Sequence, residues 1–109
     1  STMVKYQSYR RQVKQRMDIA KKNMLDAVGI AAKNYVKLVT PVDTGALRGS
    51  INYKTSENAV HVGSTLTKED YPVYVEKGTR KMKAQPYIEP GIMLNLGSLR
   101  SIARRNYKL

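Results

Sequence analysis

The chain has 109 residues and no cysteine, which excludes a disulfide or a thiolate metal site formed by its own residues. Twenty Lys and Arg against eight Asp and Glu give a formal net charge of +12, a balance that should attract polyanions. The most apolar stretch, residues 27–32, is far shorter than the roughly 18 residues that a membrane span requires. We therefore expect a single domain over residues 1–109 with no membrane partner.

Apolar residues recur every three or four positions from about Tyr9 to Val39, which predicts one long amphipathic helix. The residues on this stripe are Val13, Met17, Ala20, Met24, Ala27, Val28, Ala31, Tyr35 and Leu38. At the standard rise, a helix of roughly 30 residues is about 45 Å long, which exceeds the diameter of a globule of this size. We expect its first turns to project beyond the core or to contact another chain.

A corner follows the helix. Pro41 disfavours the α conformation for Thr40 and so ends the helix. Asp43 can accept hydrogen bonds from nearby backbone N–H groups, and Gly45 can adopt whatever φ the turn needs. These residue types predict a rigid corner held by turn and capping chemistry rather than by a ligand.

Strand patterns come after the corner. Residues 47–55 alternate between apolar and polar side chains, Val60 and Val62 alternate in the same way, and residues 56–58 are turn formers. This pattern predicts an antiparallel β-hairpin. Because a two-stranded hairpin is marginal alone, we expect it to pack on the long helix, gain a third strand or borrow one from a neighbour.

Residues 70–78 predict a two-turn helix, because Asp70 suits an N-cap, Pro72 is tolerated in a first turn and Gly78 suits the C′ position. Three residues would share one face of this helix: Tyr71, Tyr74 and Val75. The same residues also alternate as a β-strand would, so a strand is the alternative interpretation.

The last third of the chain contains a basic loop over residues 79–85 and an extended segment bracketed by Pro86 and Pro90. A final helix follows, marked by Ile92, Leu96, Leu99, Ile102 and Ala103. The whole pattern predicts an α+β fold with a long N-terminal helix, a small antiparallel β-hairpin sheet, a short middle helix and a C-terminal helix.

Three short segments of the sequence occur in an order and at a spacing that can be compared with known families. They are Thr40-Pro41-Val42-Asp43-Thr44-Gly45-Ala46-Leu47-Arg48, then Tyr71 with Tyr74-Val75-Glu76-Lys77-Gly78-Thr79-Arg80, and then Gln85-Pro86-Tyr87-Ile88-Glu89-Pro90. Over roughly residues 10–105 the chain resembles the small head-to-tail joining proteins of tailed bacteriophages and prophages, which are the neck or tail-completion proteins. The order and spacing of the pieces carry this resemblance. Gly91 stands where that family tends to have a helix-forming alanine.

The resemblance implies a non-enzymatic structural protein without a cofactor. Such a protein assembles as a hexameric or dodecameric ring between the portal-connector and the tail tube, and viral DNA crosses its lumen. The implied partners are further copies of the chain, the phage connector and the tail proteins. The implied location is the neck or tail region of the virion, with the host cytoplasm as the site of assembly.

Candidate subunit-interface residues are Arg48, Tyr71, Tyr74 and Glu76. Glu76 can pair with a basic residue across a subunit boundary, either Arg48 or Arg80, or it can remain solvated. The placement of Tyr71 and Tyr74 beside apolar residues and proline favours packing in a core or interface over stacking on nucleic-acid bases.

Candidate phosphate contacts are Lys77, Arg80, Lys81 and Lys83, four cations within seven residues. A solvated loop explains the same residues without a ligand. The net charge supports an alternative function for the whole chain, a small basic nucleic-acid-binding protein.

We do not expect catalysis. His61 is the only histidine, and the chain has neither a cysteine nor an acidic residue at a spacing that would build a nucleophilic triad with it. Metal ligands are scarce, and no glycine-rich phosphate loop is present. No residue is therefore assigned to a catalytic, cofactor or metal site.

Overall fold

The computed structural model describes residues 2–41, 45–66, 70–76 and 88–109. The elements in chain order are α1 (Thr2–Val39), α2 (Gly45–Ser50), β1 (Ile51–Thr55), β2 (Ala59–Ser64), β3 (Asp70–Val75), α3 (Ile88–Met93) and α4 (Leu96–Asn106). The three strands form one antiparallel sheet in the order β1-β2-β3. Helix α1 packs against all three strands and against α3 and α4. The predicted α+β class is confirmed.

The core lies between the C-terminal half of α1, the sheet and the two last helices. Its buried members are Val28, Ala32, Val36, Ile51, Val62, Ile88, Ile92 and Leu99. Every element except α2 and β3 contributes at least one of them, and β3 adds the partly buried Tyr71 and Val73. Because α1 touches each of the other contributors, the long helix is the element on which the fold is assembled.

Helix α1 begins at Thr2, several residues before the predicted start. Its first buried side chain is Ala20, and nearly all described side chains from Lys5 to Ile19 are exposed. The molecule measures 66 × 24 × 21 Å, and its radius of gyration is 17.1 Å, against about 13 Å for a compact chain of this length. The predicted projection of the first turns is confirmed, and residues 2–19 are called the N-terminal arm below.

The buried face of α1 differs in part from the predicted stripe. Ala20 and Val28 are buried as expected, but Leu38 is 72% exposed and Met17 is 45% exposed. The additional buried residues are Leu25, Ala32 and Val36. The face is broader than the prediction because the sheet and α4 pack on adjacent sides of the same helix.

Two glycines allow other elements to approach α1 closely. A Cβ at Gly29 would overlap the Tyr53 ring, which packs across the helix at that point. A Cβ at Gly91 would lie 2.8 Å from Cα of Val36 and 3.2 Å from the Tyr35 carbonyl oxygen. Packing therefore explains why position 91 is a glycine, since the methyl group of an alanine there would clash with the backbone of α1.

Residues 70–75 form strand β3, so the prediction of a two-turn helix in this segment was wrong. The register explains why the sequence looked helical. Val62 pairs with Tyr71 and Val60 pairs with Tyr74, and the extra residue between these pairs makes a β-bulge. The bulge places Tyr71 and Tyr74, three residues apart, on the same face of the sheet as Val60 and Val62. A three-residue apolar spacing therefore arises here without a helix.

Two other boundaries differ from the prediction. Residues 45–50 form the short helix α2, so β1 begins at Ile51 rather than at Leu47. Ile88 and Glu89, expected in an extended segment, belong to α3, where Pro90 occupies the first turn that tolerates proline. The predicted final helix is interrupted at Leu94 and Asn95, and the Asn95 side chain donates to the Gly91 carbonyl at 2.7 Å.

The corner between α1 and β1 is held on both sides by hydroxyl groups. The Thr40 hydroxyl donates to the Val36 carbonyl at 2.8 Å, and Thr40 is buried. The Ser50 and Ser64 hydroxyls are 2.6 Å apart and link α2 to the end of β2. The expected role of Asp43 in the turn lies outside the described residues.

Candidate subunit interface

Two of the predicted interface residues, Tyr71 and Tyr74, are half-buried on the face of β3 that packs towards α1. Tyr71 packs against the core, and burial together with the nearby Glu89 carboxylate raises its pKa. A tyrosine in this position stays neutral at physiological pH. The structure thus places Tyr71 where it stabilises the chain's own core and leaves Tyr74 half-buried on the same strand, with only part of each ring accessible to a partner.

Glu76 is bonded within the chain. Its carboxylate accepts a hydrogen bond from the Lys21 ammonium at 2.6 Å, and Lys21 also donates to the Asn58 side chain. The hydrogen bond to Glu76 raises the pKa of Lys21. This cluster ties α1 to the ends of β2 and β3. Neither Arg48 nor Arg80 is needed to neutralise Glu76.

Arg48 lies on α2 and is half-buried. It has no ion-pair partner among the residues that the structure describes. The predicted phosphate contacts Lys77, Arg80, Lys81 and Lys83 lie outside the described residues. The structure therefore brings Tyr71, Tyr74 and Glu76 together on and beside β3, while Arg48 sits on a separate element.

The outer edge of β1 carries its own cap. The backbone N–H of Thr65 donates to the Ser50 carbonyl, and the N–H of Ser56 donates to the Ala59 carbonyl. In an antiparallel pair every second residue of a strand bonds to the neighbouring strand, so the main-chain groups of Ile51, Tyr53 and Thr55 point outwards, away from β2. The Asn52 side-chain oxygen accepts a hydrogen bond from the Tyr53 N–H at 2.9 Å. An added strand would have to displace this bond.

The outer edge of β3 is also poorly suited to pairing. Pro72 has no N–H to donate, and the bulge beside it breaks the regular spacing of the edge. Edge prolines and bulges are devices by which proteins avoid accidental strand pairing. Both edges thus disfavour extension of the sheet by a second copy. Sequence reasoning missed this, although the Pro72 signal was visible.

A groove of about 300 Å³ lies beside strands β1 and β2. It is lined by Asn52, Tyr53, Lys54, His61, Gly63, Ser64, Thr65 and Asp70. No group of three His, Cys, Asp or Glu that could hold a metal lies anywhere in the described ranges. His61, half-buried opposite Pro72, contributes to a polar surface here.

The N-terminal arm carries an apolar stripe that the described part of the chain leaves largely uncovered. It consists of Tyr9, Val13 and Met17, which are spaced four residues apart and so share one face of the helix. Tyr9 is 65% exposed. The stripe continues along α1 into Ala20 and Met24, which are buried or packed against the core. We call these three residues the arm stripe. The sequence already indicated an uncovered apolar stripe, because the predicted apolar face is longer than the diameter of a globule of this size.

None of the helices in the described ranges has an apolar stretch long enough to cross a lipid bilayer. Comparison of the chain with protein-family models, curated proteins and solved structures found no match.

Proposed function

We propose that this chain is a structural component of the neck of a tailed phage or prophage. In this role it joins the portal-connector to the tail and assembles as a ring around the path of the DNA. The three ordered sequence pieces support the virion setting. The observation that carries the proposal for assembly is the N-terminal arm, which extends an apolar stripe away from the body of the molecule.

The arm stripe is the proposed contact between neighbouring copies. It prolongs the face of α1 that the chain's own elements cover from Ala20 onwards, so a neighbour would continue the same kind of packing. The capped edges of the sheet argue against assembly by strand addition. A contact between the arm of one copy and the body of the next is heterologous, and such contacts close into rings when the rotation between copies permits.

The test is direct observation of assembly. Negative-stain imaging and native mass spectrometry of the concentrated protein, alone and with the connector and tail proteins, should reveal rings of six or twelve copies. A chain that remains monomeric at every concentration and with every candidate partner would count against the proposal.

A pair of matched variants locates the contact. The Val13→Gln/Met17→Gln variant removes most of the arm stripe while keeping a good helix former at each position. The Ile19→Gln/Ile30→Gln variant makes the same kind of change on a different face of α1, where Ile19 and Ile30 are 61% and 47% exposed. We expect the first variant to lose assembly and the second to retain it. Equal loss in both would place the contact elsewhere.

A stand-alone nucleic-acid-binding protein is the second candidate, favoured by the net charge of +12. Such a protein would bind short DNA tightly as a monomer, with an affinity that falls steeply as salt increases. A neck protein would form rings and would bind short DNA only weakly at physiological salt. Titration of a labelled duplex at two salt concentrations, with the oligomeric state measured in the same samples, separates the two functions.

A further inference from the structure

The N-terminal arm has an unusual distribution of charge. Between residues 5 and 19 it carries five cations, Lys5, Arg10, Arg11, Lys14 and Arg16, against the single carboxylate of Asp18. All five basic side chains are exposed. Within the described ranges, Lys5, Arg11, Lys14 and Arg16 have no ion-pair partner. The arm is therefore a strongly positive rod whose charge the chain itself leaves largely uncompensated.

Helix stability does not explain these cations. The N-terminus of a helix carries the positive end of the macrodipole, so basic residues there are unfavourable and acidic residues are favoured. Helix α1 has no acidic residue in its first turn, where Lys5 lies. The basic residues of α4 differ, because Arg104 and Arg105 lie in its last turn, where the dipole stabilises them.

The cations flank a polar face. At about 100° per residue, Ser8, Gln12 and Gln15 share one side of the arm. Lys5 and Arg16 are about three turns apart and lie on one flank of this side, while Arg11 and Lys14 lie on the other. The arm stripe occupies the remaining side. One side of the arm thus suits protein contact. Between residues 8 and 16 the opposite side presents amide and hydroxyl groups flanked by two rows of positive charge, and the exposed Ile19 marks the C-terminal end of this polar stretch.

We propose that this polar side of the N-terminal arm binds double-stranded DNA without sequence preference. An α-helix with its side chains is about 10–12 Å across and fits the major groove of B-DNA, which is about 12 Å wide. Cations on both flanks then contact the phosphates on both walls of the groove, which carries the binding without reading sequence. Ser8, Gln12 and Gln15 face the floor of the groove, and because their groups can either donate or accept a hydrogen bond, they tolerate any base pair there. The biological setting rests on the proposed function, and the arm is the surface that faces the DNA within the ring.

The experiment compares two variants with equal losses of charge. The first replaces Lys5, Arg11, Lys14 and Arg16 by glutamine, a good helix former that keeps the arm helical. The control replaces Arg100, Arg104, Arg105 and Lys108, four exposed cations of the C-terminal region, in the same way. Fluorescence anisotropy with a labelled duplex of arbitrary sequence gives the affinity at a series of salt concentrations, and circular dichroism checks the helix content of each variant.

Each neutralised phosphate contributes about 0.9 to the slope of log affinity against log salt. We expect the arm variant to lower the magnitude of this slope by about 3.6 and the control variant to change it by less than about 1. Equal changes in the two variants, or no binding by the unaltered chain at low salt, would overturn the proposal. Duplex RNA should bind more weakly, since its major groove is too narrow for a helix, and equal binding of RNA would also overturn it.

The same samples keep this proposal separate from the neck function. Loss of the salt slope with rings intact supports the assignment of DNA contact to the arm. Absence of rings in the unaltered chain, together with an arm-dependent slope, would refute the ring while leaving the arm as a DNA-binding surface.

Discussion

At the scale of single residues, glycines decide how closely the elements approach. Gly29 and Gly91 would both be read from sequence as costs to helix stability, by up to about 1 kcal/mol each. In the fold, each lies at a contact with no room for a methyl group. The two contacts differ, because the neighbour of Gly29 is a movable tyrosine ring, whereas the neighbour of Gly91 is the backbone of α1.

Gly91→Ala should therefore lower the free energy of unfolding by about 1–3 kcal/mol, the usual cost of overpacking, although alanine favours a helix. Gly97→Ala is the matched control, because a Cβ at Gly97 meets nothing within 4 Å. It should leave stability unchanged or raise it by up to about 1 kcal/mol. Urea unfolding of both variants measures the difference. Equal stability of the two would contradict the packing between α3 and α1.

The Lys21–Glu76 pair predicts a dependence of stability on alkaline pH. The folded-state pKa of Lys21 is raised above its ordinary value of 10.5, chiefly by the hydrogen bond to Glu76. The stabilisation is therefore fully present below that ordinary value and is lost as pH rises through the folded-state pKa. The Glu76→Gln variant should be slightly less stable than the unaltered protein at neutral pH. Its stability should also fall less steeply as the pH becomes alkaline. Thermal unfolding of both proteins across neutral and alkaline pH tests this, and parallel curves would contradict it.

At the scale of elements, β3 shows how a bulge can imitate a helix. The spacing of Tyr71 and Tyr74 fits one helical face, and the capping residues around them fit as well. Tyr71 pairs with Val62 and Tyr74 pairs with Val60, with one extra residue between the two pairs. This pairing with β2 is what favours a strand over a helix for the segment. This pairing also gives the hairpin the third strand that it was expected to need.

The two halves of α1 should differ in local stability. The segment from Ala20 to Val36 is covered by the sheet and by α4, whereas the described side chains of the arm make few contacts. We expect amide hydrogens of residues 6–16 to exchange much faster than those of residues 25–36, because exposed helix ends open without disturbing the core. Hydrogen exchange followed by mass spectrometry measures this. Adding duplex DNA should slow exchange in the arm alone, whereas uniform protection of α1 without DNA would contradict the expected difference.

At the scale of the whole molecule, charge and apolar surface have opposite dependences on salt. Every copy carries a formal charge of +12, so copies repel one another at low ionic strength. Salt screens this repulsion and would leave the burial of the arm stripe in the proposed contact between copies almost unaffected.

Assembly should consequently strengthen as salt increases, while DNA binding weakens over the same range. Sedimentation velocity and anisotropy on the same preparation would measure both trends. Assembly that weakens with salt would instead indicate ion pairs between copies, and the half-buried Arg48 on α2 would then be the first residue to test.

Sequence alone predicts the class of fold, the long first helix with its projecting turns, and the hairpin of β1 and β2. These features follow from periodicity over many residues, which local errors do not remove. The excess of positive charge and the lack of cysteine are likewise properties of composition.

Tertiary contacts set the register of β3, the break between α3 and α4, the partner of Glu76 and the fit at Gly91. Each depends on which distant residue a side chain meets, and short segments with two compatible local conformations adopt the one that packs better. The same reason applies to the arm. Its residues are ordinary helix formers, and the length of the apolar pattern predicts that they project, but only the structure shows which of their side chains stay exposed.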